Sequence, residues 1–162
     1  MKVREVIPNN HKHEFEIHTR SKRSPVLTFP YCKIPDDVRP TTDNPVVEAY
    51  PDPELGNDGF TWVLASGDEG TLHMDSVLWE NRDPEYLARM ALHTLTCDAE
   101  SALAKSGLSK AQVAKRLRTS PAQLARLLDP TYYGKSLGQM LALLHVVGQR
   151  VKLQVVDESQ GE

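Results

Sequence analysis

The sequence is sparing with the features that define several large protein classes. Its two cysteines, Cys32 and Cys97, lie far apart and in no metal-ligand spacing. They build no disulfide framework, and two reduced thiols in a cytoplasmic protein are expected. No apolar run approaches the roughly 20 residues of a membrane helix, and the opening MKVREVIPNN has no signal-peptide core. A Gly-rich phosphate loop, a G-x-S-x-G elbow and an H-E-x-x-H pair are all missing. His73 and Asp75 would share a strand face, but no nucleophile accompanies them. His11 and His13 would likewise share a strand face near His18, yet no Cys or third ligand completes a zinc site, and surface histidines are the plainer reading. Asp36-Asp37 and Asp68-Glu69 read as solvated loop charge. These absences speak against an enzyme, and no cofactor or metal is expected.

Two stretches of the chain are also poor in one sign of charge. From Lys33 to Ala104, four Lys/Arg stand against fifteen Asp/Glu. From Lys105 to Lys152, nine Lys/Arg stand against Asp129 alone. A basic block inside a protein of net charge −3 implies a polyanionic partner for that block. The acidic block would be repelled by the same partner.

What is present centres on Ser109 to Leu128, SKAQVAKRLRTSPAQLARLL. Ser109 with Gln112 has capping-box spacing. Ser120 with Gln123 repeats it, and Pro121 takes the first helical position. Two short helices with a tight turn between them follow. Val113, Ala114 and Leu117 share one face of the first; Leu124, Leu127 and Leu128 share one face of the second. Ala114 is small where two helices must cross. The outward positions Lys110, Lys115, Arg116, Arg118, Gln123 and Arg126 are cationic or amide, which are the groups that phosphates and base edges accept. The competing reading is an ordinary helical hairpin with a solvated basic face.

On these residues the segment resembles the Xre family of helix-turn-helix proteins, the Cro and phage-repressor type, over roughly Ala102 to Val156. Gln112 matches the Gln that opens the first motif helix. Ala114 matches the crossing residue, and Leu117, Leu124 and Leu127 match the core. The resemblance places base-reading residues at Ser120, Pro121, Ala122, Gln123 and Arg126. Lys110, Lys115, Arg116 and Lys135 flank the motif as phosphate contacts. One departure stands at Arg118, where the family usually has Gly in the turn; a non-Gly residue at positive φ is strained. Pro121 and Ala122 also bring no hydrogen-bonding side chain.

Elsewhere, residues 1 to about 78 read as β-rich. Strands are expected at Val3–Ile7, Glu14–His18, Val26–Tyr31, Val46–Tyr50, Phe60–Leu64 and Thr71–Met74, with a hairpin loop at Ser66–Gly70. Asp83-Pro84 opens a long helix with a stripe at Leu87, Ala91, Leu95, Ala99 and Leu103, ending at Gly107. Ser136 with Gln139 caps a last helix whose apolar face is Leu137, Met140, Leu141 and Leu144. Arg150 to Val156 then alternates, with Val151, Leu153 and Val155 on one side. This ending resembles the tail of dimeric Xre-type antitoxins, in which such strands pair across the dimer. An unpaired strand edge seeks a partner.

The expected fold is α+β: a β-rich acidic domain over 1–82, then a lambda-repressor-like helix-turn-helix domain over 83–162 with a C-terminal dimerisation strand. The resemblance implies a homodimeric, double-stranded-DNA-binding transcriptional repressor, in its most specific form the antitoxin of a toxin–antitoxin operon with a cognate toxin as partner. The alternative is an interaction module that neutralises a basic protein through its acidic domain without reading DNA.

Overall fold

A computed structural model describes residues 1–21 and 25–157. Among them the chain is mixed α+β, with two antiparallel three-stranded sheets and five α-helices. It divides into two compact units, Met1–Leu87 and Ala88–Glu162. None of the described helices is long and apolar enough to cross a membrane.

In the first unit, β1 (Val3–Asn9), β2 (Glu14–Thr19) and β3 (Leu27–Pro30) form one sheet in that order. The alternation expected of β2 holds, with Phe15, Ile17 and Thr19 buried. In β1, Val3 and Val6 are both buried although three residues apart. A register shift between Val3 and Glu5 re-phases the strand and turns both inward. Strands β4 (Val46–Pro51), β5 (Gly59–Leu64) and β6 (Glu69–His73) make the second sheet. The two sheets share one core, in which the Phe15 ring lies 5.0 Å from Phe60 and 5.3 Å from Trp62. Trp62 lies across Gly70, its partner on β6; a Cβ there would clash with the indole, so only glycine admits the ring.

Two asparagines close strand edges in the same manner. The Asn81 carboxamide accepts from Thr28 N (3.1 Å) and donates to Thr28 O (2.7 Å) on β3. The Asn10 carboxamide accepts from Val46 N (3.2 Å) and donates to Val46 O (3.0 Å) on β4. A side-chain amide thus replaces a neighbouring strand and blunts an exposed edge.

Several expectations fail locally. Thr71–Met74 does not run as one strand: β6 stops at His73, and Met74–Glu80 is a helix, α1, burying Met74, Val77 and Leu78. His73 Nδ1 accepts from Asp75 N (3.2 Å) and caps it, so His73 and Asp75 do not share a strand face. Val26 is exposed and precedes β3, while Tyr31 starts a 3₁₀ turn, Tyr31–Lys33. His11 and His13 sit in the β1–β2 turn, with His13 at φ 56°, and not on a strand face.

The second unit holds most of α2 (Pro84–Ser106), with α3 (Lys110–Arg116), α4 (Pro121–Leu128) and α5 (Leu137–Val146). Asp83 Oδ1 accepts from Tyr86 N (2.8 Å) and starts α2 as expected. Its buried stripe is different: Thr96, Ala99 and Ala102 are buried with Leu92, Leu95 and Leu103 half-buried, and Ala91 is exposed. A strict repeat of four drifts around a helix of 3.6 residues per turn, so a straight stripe mixes threes and fours. In α5 the buried face is Met140, Leu143 and Leu144, while Leu137 is exposed. Residues 150–156 form no strand; Val151 is half-buried against the helical core, and Leu153 and Val155 are exposed.

Candidate nucleic-acid interface

The segment from Ser109 to Leu128 is fixed by its own polar side chains. Ser109 Oγ accepts from Gln112 N (3.2 Å), and Gln112 Oε1 accepts from Ser109 N (2.8 Å). This complete capping box engages the carbonyl end of Gln112. At α4, Ser120 Oγ accepts from Gln123 N (3.1 Å), but the Gln123 side chain does not return to Ser120. The second box is therefore half formed, because Gln123 turns aside. It is half-buried beside a surface depression shared with Leu117, Arg118, Thr119 and Gln139.

The turn between the helices is built around the departure noted in the sequence. Arg118 adopts φ 54°, in the left-handed region. Arg118 N donates to Lys115 O (3.1 Å) and Thr119 N donates to Ala114 O (3.0 Å). These two bonds are a Schellman cap. The end of α5 makes the same pair: Gly148 N to His145 O (3.0 Å) and Gln149 N to Leu144 O (2.8 Å), with Gly148 at φ 81°. Arg118 thus occupies a conformation that glycine adopts without strain.

Packing sorts the remaining positions. Val113, Ala114, Leu124, Leu127 and Leu128 are buried in one core with α5. Lys110, Gln112, Lys115 and Arg116 are exposed on α3, and Arg118 is exposed in the turn. On α4 the exposed face is Pro121, Ala122, Ala125 and Arg126, with Ser120 exposed at its cap. Ala125 escaped the sequence reading, although its spacing of three and four from Ala122 and Pro121 places it on their face. Among the described residues, none of Lys110, Lys115, Arg116, Arg118 and Arg126 lies within ion-pair distance of a carboxylate; the ion pairs described all belong to the first unit. Asp129, the one acid in the basic block, accepts instead from Thr131 N (2.8 Å) and Thr131 Oγ1 (2.7 Å), which hold its carboxyl below its ordinary pKa.

Lys135 is a correction. It is 6 % exposed, and its Nζ donates to Leu127 O (3.0 Å) and Asp129 O (2.7 Å). An ammonium at the last carbonyls of α4 complements the negative end of that helix. Burial lowers the Lys135 pKa, and the Asp129 charge opposes that shift. Its amine is spent on the end of α4 and is not offered to solvent, contrary to the expectation of a phosphate contact at Lys135. The chain around the named dimerisation residues is also unlike the expectation: Val151 rests on the helical core, while Leu153 is 75 % and Val155 100 % exposed. No family model, no curated protein and no solved structure gave a match to the chain.

Proposed function

We propose that α3 and α4 form a helix-turn-helix that binds double-stranded DNA, and that the protein is a cytoplasmic, homodimeric transcriptional regulator acting as a repressor. The observation that carries this reading is the set of five exposed cations on α3, the turn and α4, without a carboxylate partner among the described residues. A solvated surface helix ordinarily mixes both signs of charge; a phosphate backbone calls for one. Two further features support it. The Schellman turn at Arg118 brings two short capped helices together over one core. Arg126 is exposed on α4 and carries the planar donor pair that guanine accepts in the major groove. Exposed Leu153 and Val155 are the residues a second copy would cover, and a two-fold dimer reads two half-sites about one helical turn apart. An antitoxin with a cognate toxin is the more specific form of the same reading.

A specific observation favours the interaction module as the second reading. Pro121, Ala122 and Ala125 make the exposed face of α4 poor in hydrogen-bonding groups. In the first unit, burial and then the carboxylates of Glu69, Asp52, Glu48 and Glu54 raise the Tyr50 pKa, marking an acidic surface suited to a basic protein.

Salt dependence separates the two readings. Neutralising Lys110, Lys115 or Arg116 singly is expected to lower the slope of log affinity against log salt by about one unit, on any DNA sequence. Arg126→Ala is expected to lower affinity by about 1–3 kcal/mol on the preferred site and much less on random DNA. Unchanged slopes in all three charge variants would remove DNA from this surface. An equal loss on both DNAs would make Arg126 a phosphate contact.

A further inference from the structure

We propose that Cys97 and His93 form a thiol–imidazole pair that reacts with peroxide, making Cys97 a site of reversible oxidation. The two residues stand one turn apart on α2, and Cys97 Sγ lies 3.7 Å from His93 Nε2. The other ring nitrogen, Nδ1, is 3.3 Å from the carbonyl oxygen of Pro130. A carbonyl only accepts, so this contact places the proton on Nδ1 and leaves the lone pair of Nε2 facing the sulfur. A nucleophile, a base within reach and a third group orienting the base make up the arrangement of an activated nucleophile.

The surroundings supply the rest. Cys97 is exposed, so a small oxidant reaches the sulfur directly. Cys32 is also exposed but has no hydrogen-bond partner among the described residues, which makes it an internal reference within the same molecule.

His93 Nε2 takes the thiol proton and the thiolate sulfur attacks one peroxide oxygen. The S–O bond forms as the O–O bond breaks, and the departing hydroxide takes the proton from Nε2 to leave as water. Cys97 becomes a sulfenic acid, oxidised by two electrons, and the peroxide is reduced by two. A thiol reductant reverses the change through a mixed disulfide.

The test uses the full chain, reduced, then treated with hydrogen peroxide in the presence of dimedone, with labelling at each cysteine followed by peptide mass spectrometry. Cys97 is expected to label at least about tenfold faster than Cys32, a modest share of what a positioned base supplies. In His93→Gln, whose amide cannot take the proton, the two rates are expected to converge, and denaturing guanidinium should abolish the difference in the native sequence too. Equal rates in the folded wild-type chain would overturn the proposal without any variant. So would a preference that survives either unfolding or His93→Gln with helicity retained.

Discussion

Replacing Arg118 with glycine tests whether the turn before α4 carries strain. The perturbation touches a residue at φ 54° whose N–H and whose neighbour's N–H complete a Schellman cap. A left-handed conformation disfavours an ordinary residue by about 1–2 kcal/mol. Glycine removes that strain but loses about 0.5–1 kcal/mol more backbone entropy on folding. The balance is a net stabilisation of about 0.5–1 kcal/mol, or about 3–6 °C in the unfolding midpoint of a domain this size. Gly148, at φ 81° with the same two bonds, supplies the reverse experiment. A Cβ there meets nothing within 4 Å, so Gly148→Ala is a purely conformational change, expected to destabilise by about 0.5–1 kcal/mol.

The assay is urea unfolding of the full chain. Far-ultraviolet circular dichroism follows the helices, which lie mostly in the second unit. Both tryptophans, Trp62 and Trp79, belong to the first unit, so fluorescence reports that unit separately and should not move. Loss of stability in Arg118→Gly, or none in Gly148→Ala, would refute the argument that the left-handed region sets the energetics of both caps. DNA affinity read on the same variant separates conformation from contact. A stabilised Arg118→Gly protein with weaker, less salt-dependent binding places the guanidinium on phosphate.

Three other outcomes follow from the structure. Lys135→Met keeps the apolar stem but strips the ammonium from the carbonyls of Leu127 and Asp129; the helical unit should lose about 1–3 kcal/mol in urea unfolding, with the salt slope of any DNA binding unchanged. Burial, and then the Glu14 carboxylate, push the Tyr31 pKa from 10.0 to about 12. Since the folded value is the higher one, this stability is complete below pH 10.0 and is lost as pH rises towards about 12, by about 3 kcal/mol in all; alkaline unfolding followed by tryptophan fluorescence should shift upward in Tyr31→Phe. Deleting the residues after Gln149 should leave helicity intact and convert a dimer to a monomer in sedimentation; a truncated protein that still dimerises would move the contact elsewhere.

Much of the fold was legible in the sequence because its signals are local. Ser109 with Gln112 and Ser136 with Gln139 each close a capping box between residues three apart, and Asp83 starts α2 by the same kind of bond. The alternation through Phe15 and Ile17 needs only the strand period of two to fix which face is buried. The exposed cations of α3 and α4 follow from helical spacing once the leucines face inward. Tertiary structure decided what depended on distant neighbours. A lone lysine in a loop looks like any surface cation until, as at Lys135, the end of α4 offers it two carbonyls. His93 and Cys97 show helical spacing in the sequence, but only the Pro130 carbonyl, far along the chain, orients the imidazole. The alternation of residues 150–156 marks a potential strand. A strand needs another strand to pair with, and the described part of its own unit is helical, so the segment stays irregular in the single chain. At Arg118 the sequence marked a residue poorly suited to the turn, and the core of Val113, Ala114 and Leu124 held the turn in its left-handed form regardless, because burying those side chains together outweighs one residue's strain.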